Sequence, residues 1–231
     1  MRLRASLRNK TKKVNQIIKT ADGSDTIFVP ELNEHYHSIH GAVQESEFIF
    51  IKSGFEFCLA DPLNIFEVGF GTGLNALLTA IKCKDGDRVV NYTTIEKYPI
   101  DKRTINSLNH PHFAGEAGKE IFNLIHAAPW NKNVNICNNF NFKKKEGDFT
   151  IEIPPGKYDL IYFDAFSPDK QPEMWTKEIF SIIASVTNIN GVFVTYSAKG
   201  EVKRNLIANG FNVTLLPGPP GKRQIIRAVK I

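Results

Sequence analysis

From residue 64 onward, short apolar runs alternate with segments whose apolar positions recur at helical spacing, and turn residues separate them. That alternation predicts βα units. Strands are expected over 65–68 and 89–96, with helices over 74–82 and from about 99 to 108. The stretch 111–139 is less regular, with a helix around 116–126, and a strand follows over 140–145. Residues 158–163, Tyr-Asp-Leu-Ile-Tyr-Phe, form a nearly continuous apolar run after Pro154-Pro155-Gly156. Such a run predicts a strand buried on both faces, at the centre of a sheet. A helix over 173–186, a strand over 191–196 and a helix over 200–208 continue the alternation. The end differs, because the strands 211–215 and 224–230 are joined by a Pro/Gly turn too short for a crossover helix and must pair antiparallel. Upstream, 15–19 and 26–29 flank Asp22-Gly23-Ser24 and predict a hairpin, followed by a helix over 42–52.

The expected fold is therefore α/β and Rossmann-like, with a mostly parallel sheet ending in an antiparallel hairpin. Residues 1–62 are expected to form a basic arm with a hairpin and helix extension, and 63–231 the main domain. The turn after the first strand of that domain reads Glu67-Val68-Gly69-Phe70-Gly71-Thr72-Gly73. Glycines there let a ligand approach bare backbone. No Gly-Lys-Ser/Thr follows, which excludes a P-loop, and the spacing is GxGxG rather than the dinucleotide GxGxxG. This variant resembles motif I of class I S-adenosylmethionine-dependent methyltransferases.

Ligands of such sheets lie beyond the carboxyl ends of the parallel strands. Acids fall at four successive strand ends: Glu67, Glu96, Asp148 and Asp164. Glu96 suits ribose hydroxyls. Asp148, followed by Phe149, suits an adenine amino group with the ring packed on phenylalanine. Any one acid is as readily a cap or loop carboxylate; four in succession indicate a site.

Net charge is +5, yet Arg2, Arg4, Arg8, Lys10, Lys12, Lys13 and Lys19 precede any acid, so the rest of the chain is net negative. The basic charge sits in an arm, which is either a solvated tail or a phosphate-binding element. Lys143-Lys144-Lys145 and Lys222-Arg223 with Arg227 would extend a basic surface if the fold gathers them. No apolar run approaches the roughly 20 residues of a membrane span and no signal peptide is evident, so no membrane is expected and a cytoplasmic location is the default. Cys58, Cys83 and Cys137 show no CxxC spacing. His35, His37 and His40 lie close in sequence without cysteine or carboxylate ligands at metal spacing, so no metal is assigned.

The segments 67–75, Ile95-Glu96-Lys97-Tyr98-Pro99 and Asp164-Ala165-Phe166-Ser167-Pro168, with Pro172-Glu173-Met174-Trp175, together resemble the methyltransferase domain of the MnmC family. Asn33-Glu34-His35-Tyr36-His37-Ser38 and residues 45–50 are similar to that family's upstream region. The resemblance implies methyl transfer from S-adenosylmethionine to the aminomethyl nitrogen of a tRNA wobble uridine. It implies Glu67, Gly69, Gly71, Gly73, Asn75, Glu96, Lys97, Asp148 and Phe149 around the cofactor. Asp164 becomes the acid facing the acceptor, with Tyr36, His37, Phe166, Pro168, Lys170 and Trp175 on the substrate side. The family's bifunctional members continue into a flavin-dependent domain; no second nucleotide fingerprint occurs here, so no FAD is expected and the form is read as stand-alone. The Pro219–Arg223 turn also resembles the family and is expected to approach the site or RNA. An aminopropyltransferase or small-amine methyltransferase on the same scaffold is the enzymatic rival, and a non-catalytic RNA-binding partner is the other class. The basic arm favours RNA over a diamine. Deleting residues 1–13 is expected to weaken tRNA binding and flatten its salt dependence, measured by filter binding across a salt series. Unchanged affinity and slope would reduce the arm to a tail.

Overall fold

The computed structural model describes residues 14–84 and 86–231; the basic arm, apart from Lys19, lies outside them. Strands β4 (Leu63–Val68), β5 (Val90–Glu96), β7 (Phe140–Glu146), β8 (Tyr158–Phe163) and β9 (Thr187–Thr195) run parallel, in the order β9-β8-β4-β5-β7. Antiparallel strands complete the sheet: β11 (Gln224–Lys230) and then β10 (Phe211–Pro217) beside β9, and β6 (Val134–Cys137) beside β7. The apolar run 158–163 is central, as its pattern requires. Alternate residues of β8 feed opposite faces of the sheet. Leu160 and Tyr162 join a core with Phe50, Tyr92 and Phe142, whereas Ile161 and Phe163 join one with Trp175, Phe180 and Phe193. Helices α2 (Leu74–Lys84), α4 (Gly118–Ala127), α5 (Lys177–Val186) and α6 (Gly200–Ala208) connect or flank the strands. Among the described residues, no helix is long and apolar enough to cross a membrane.

Upstream of this sheet, β1 (Gln16–Lys19), β2 (Asp25–Val29) and β3 (Glu34–His35) form a separate antiparallel sheet. The helix expected over 42–52 starts as α1 (Ala42–Ser46) and widens into a π-helix over Glu47–Phe55. Two features suit that wider turn. The Ser53 hydroxyl donates to the Phe48 carbonyl five residues back, at 2.9 Å. Gly54 lies so close to the sheet that a Cβ there would be 3.1 Å from Val194 Cγ2 and 3.2 Å from Tyr162. The helix expected over 173–186 divides into a 3-10 turn, Pro172–Trp175, and α5, because Thr176 is extended and caps α5 by accepting from the Ile179 N–H. Around 99–108 only α3 (Lys102–Asn106) forms, capped by Asp101, which accepts from the Thr104 N–H at 3.0 Å.

An ionisable residue of β4 has no exposure at all. Glu67 of β4 is fully buried; its Oε1 accepts from Asn75 Nδ2 at 3.1 Å, while Oε2 and the hydroxyls of Tyr92 and Thr94 have no aligned partner. Burial pushes the Glu67 carboxyl from an ordinary 4.5 up to about 8, against the opposing effect of the Thr94 hydroxyl and with the Asp164 charge adding to the rise. Between those two values the folded chain holds a proton that the unfolded chain has lost. Stability should therefore fall as pH rises through that window, by up to about 1.4 kcal/mol per pH unit. Glu67→Gln is expected to flatten this slope and to gain most over the parent protein near pH 8, in urea unfolding measured from pH 5 to pH 8. An unchanged slope would mean that Glu67 is ionised in the fold.

Candidate active site

The parallel register aligns the carboxyl ends of the central strands: Val68 pairs with Phe163 and with Ile95, and Glu96 with Glu146. The loops that leave those ends, after β4, β5, β7 and β8, therefore meet around one cavity of about 580 Å³. Tyr36, His37, Ser38 and Glu45 from the upstream segment close another side, and Tyr196 and Lys222 a third.

The glycine turn forms the floor of one half. Gly69 has φ +92°, and a Cβ on it would stand 2.7 Å from the Asp164 carbonyl oxygen. Gly71 has φ +50° and faces the Tyr36 ring. The Gly71 N–H donates to Glu96 Oε2 at 3.0 Å, and the Tyr98 N–H donates to Oε1 at 2.8 Å, so the carboxylate is fixed at the cavity wall. Across from it, Lys97 Nζ lies 2.7 Å from Asp148 Oδ2, and Asp148 Oδ1 accepts from the Thr150 N–H and hydroxyl. The Lys97 and Thr150 hydrogen bonds hold the Asp148 carboxyl down at about 2. Val68, Ile95 and Phe149 supply apolar surface between these acids. A nucleoside fits this half: an apolar wall, a fixed carboxylate for vicinal hydroxyls and bare glycine backbone at Gly69 and Gly71. In S-adenosylmethionine the adenosine would be held by Glu96, Asp148 and Phe149, and the remainder would lie over Gly69 and Gly71.

The other half is built around Asp164. Its Oδ2 accepts from Asn75 Nδ2 at 2.8 Å, and the same amide donates to Glu67. The Ser46 hydroxyl is bonded to the Asn75 oxygen, which fixes the amide's orientation. Burial first, and then the Glu45 charge, raise the Asp164 carboxyl to about 7 against the Asn75 hydrogen bond and the Lys222 charge, which lower it. The following loop is held at several atoms. Tyr196 donates its hydroxyl to the Ala165 carbonyl at 2.8 Å, Trp175 Nε1 donates to the Phe166 carbonyl at 2.8 Å, and the Ser167 hydroxyl donates to Glu34 Oε2 at 2.9 Å. The Tyr36 and Phe166 rings meet edge to face, with centroids 5.0 Å apart. His37 Nε2 lies 2.7 Å from the Thr72 hydroxyl, and burial lowers this imidazole to about 4, so it is neutral near pH 7.

Of the residues singled out by sequence, Gly69, Gly71, Asn75, Glu96, Lys97, Asp148, Phe149, Asp164, Tyr36, His37, Phe166 and Lys170 line the cavity. Glu67, Gly73, Pro168 and Trp175 do not. Glu67 lies beneath the cradle, behind Asn75. Gly73, which precedes α2, faces His126 and the Phe70 ring. Trp175, expected on the substrate side, is 4% exposed among Phe163, Phe180 and Tyr196, so it braces the loop from the core. The expected basic surface is also broken up. Lys144 is buried and donates to the Ile125 and His126 carbonyls, at 3.1 and 2.7 Å. Lys222 turns into the cavity instead, as the resemblance of its turn suggested. Sequence reasoning missed Glu45 and Tyr196 as wall residues; the signal for Glu45 was an acid on a short helix just after the upstream motif.

Comparison with known proteins agrees with this geometry. Residues 119–231 match the S-adenosyl-L-methionine-dependent methyltransferase family. The tRNA 5-methylaminomethyl-2-thiouridine biosynthesis bifunctional protein MnmC of Campylobacter hominis is 32% identical over 210 residues, covering 87% of this chain and 31% of that protein. The MnmC of Paraburkholderia phymatum is 26% identical, over 87% of this chain and 33% of that protein. The chain thus spans about a third of the length of these curated relatives. Among solved structures, MnmC2 from Aquifex aeolicus superposes with a TM-score of 0.77 at 28% identity, covering 95% of this chain and 71% of that one. Spermidine synthase from Thermotoga maritima shares the fold, with a TM-score of 0.54 at 13% identity over 94% of this chain and 69% of that one. With its glycine cradle and strand-end acids, the chain is similar over residues 119–231 to the S-adenosyl-L-methionine-dependent methyltransferases, and over most of its own length to part of the MnmC proteins.

Proposed function

We propose that this chain methylates the aminomethyl nitrogen of a wobble uridine in cytoplasmic tRNA, with Asp164 as the acid that accepts the amine's proton. The observation that carries this reading is Asp164 itself. A carboxyl at the end of β8, beside the nucleoside half of the cavity and raised to about 7, is poised to exchange a proton near neutrality. An aminomethyl group resembles a lysine side chain, whose ammonium has a reference pKa of about 10.4, and that cation has no lone pair. The acceptor must therefore lose a proton before it reacts. Asp164 hydrogen-bonds the ammonium and takes that proton, directly or through water. When bound, S-adenosylmethionine supplies an electrophilic methyl on a sulfonium and a neutral thioether leaving group. The protein's own contribution is alignment and exclusion of water. Tyr36 and Phe166 close the rim over the acceptor, and Asn75 holds Asp164 in place. Residues 63–231 act as the catalytic domain, and 1–62 as an extension that completes the acceptor wall and includes the basic arm.

Incubation with labelled S-adenosylmethionine and tRNA bearing 5-aminomethyluridine is expected to yield 5-methylaminomethyluridine, identified by mass spectrometry of nucleosides. Absence of that product would overturn the reading. Asp164→Asn should lower kcat by about 10²–10⁴ while cofactor affinity stays within several-fold. In the parent protein, kcat should fall as pH drops below about 7, because a protonated Asp164 cannot take up the amine's proton. Joint loss of cofactor binding and turnover in the variant would make Asp164 a structural residue.

A further inference from the structure

At the acceptor end of the cavity stands an ion pair that the chemistry above leaves unused. Glu45, on α1, is only 9% exposed and lines the cavity. Its Oε2 accepts from the Ser38 N–H at 2.8 Å, which fixes the carboxylate. Its Oε1 lies 3.0 Å from Lys222 Nζ but receives no aligned hydrogen bond. The Lys222 ammonium also sits 4.5 Å from the centre of the Tyr196 ring, a cation–π contact. Both charges act on Asp164, Glu45 raising its carboxyl and Lys222 lowering it, so the three groups share one field. The two partners differ in how firmly they are held. Glu45 is fixed by backbone on a helix, whereas Lys222 reaches in from the turn between β10 and β11, with its side chain 25% exposed.

The end of a lysine side chain is a primary ammonium on a methylene carbon. An aminomethyl group on a pyrimidine ends in the same group. The carboxylate of Glu45 and the face of Tyr196 thus already surround the chemical group that the acceptor would bring. We propose that Glu45 is the recognition carboxylate for a primary alkylammonium acceptor, and that Lys222 is a resident ion which the acceptor displaces from it. This rests on the proposed aminomethyl substrate and adds the residue that selects it. As the acceptor enters, displacement exchanges one cation for another against Glu45, so the buried carboxylate is not left unpaired during binding, a state that is strongly unfavourable. An acceptor ending in a neutral hydroxyl has no cation with which to replace Lys222.

Two variants with opposite expected effects test this. Glu45→Gln should raise KM for 5-aminomethyluridine tRNA about tenfold, with kcat changed much less. Lys222→Met should lower that KM several-fold by removing the competitor. If the pair is only a structural clamp, both variants will shift KM in the same direction, and the inference fails. A binding measurement separates this inference from the proposed function. With S-adenosylhomocysteine present, 5-aminomethyluridine should bind the parent protein more tightly than 5-hydroxymethyluridine in calorimetric titration, and Glu45→Gln should abolish the difference. Lack of a preference in the parent, or its survival in the variant, would overturn the role of Glu45. A Glu45-dependent preference without methylation of tRNA would sustain the ammonium site and overturn the proposed function.

Discussion

The Asn75 side-chain amide is the interaction on which the site depends. Its nitrogen donates to Glu67 at 3.1 Å and Asp164 at 2.8 Å, and its oxygen is bonded to the Ser46 hydroxyl. One small group thus ties the first parallel strand, the loop after the fourth and the upstream helix. Both N–H bonds are committed to acids with little or no water, where an unpaired carboxyl costs several times what a surface group would. Asparagine is well suited to this position because an amide offers two donors and one acceptor and carries no charge of its own. A charged lysine or histidine would pair with one acid and alter the protonation of both. The amide leaves that protonation free to respond to burial and to whatever enters the cavity.

That neutrality divides the cavity electrically. In the nucleoside half the acids are fixed by donors: Glu96 accepts from two backbone N–H groups, and Asp148 from Lys97 and Thr150, which keeps Asp148 ionised. In the acceptor half, desolvation dominates, so Asp164 and Glu67 rise toward neutrality and His37 falls away from it. Similar carboxyl groups, spaced along one sheet edge, are thereby given different tasks. Permanent charge suits binding of hydroxyls and amines whose protonation does not change, whereas a proton affinity near 7 suits a group that must exchange one. The parallel register places the acids side by side; burial and donors set them apart.

Much of this was legible in the chain. The runs 158–163 and 224–230 and the helix 200–208 begin and end where their patterns do, because long or strongly apolar segments carry their own boundaries. The glycine turn and the acids at strand ends were visible for the same reason: they are local. Short elements escaped detection. β3 has two residues, too few to show a period, β6 has four and lacks a turn signal like the Asp22-Gly23-Ser24 that marks β1, and the π-helix begins from an ordinary α-helical pattern. Side-chain direction escaped too. Trp175 reads as an exposed platform beside a loop until Pro172 and Thr176 turn that segment inward, and Lys144 reads as surface charge until two carbonyls at the end of α4 capture it. Glu45 and Lys222 stand far apart in sequence, and only the packed upstream segment brings them together.

How that upstream segment is fastened bears on how the acceptor side can work. Asp25 and Asn109 exchange reciprocal hydrogen bonds, the Asp25 N–H donating to Asn109 at 2.8 Å and the Asn109 N–H to Asp25 at 2.9 Å. Asp22 accepts from Ser24 and Thr20, and from the Gln44 N–H, so the β1–β2 turn is bonded to the start of α1. His37 then reaches Thr72 of the glycine turn, and Ser46 reaches Asn75. The wall bearing Tyr36, His37 and Glu45 is therefore fixed to the cofactor cradle by several short polar contacts. Lys222, by contrast, enters from an edge turn with one ion pair and one ring contact. An acceptor that carries its own cation replaces both of those contacts, whereas moving Glu45 would also require breaking its bond to the Ser38 backbone. The lysine is thus the partner that yields, and the carboxylate stays in place.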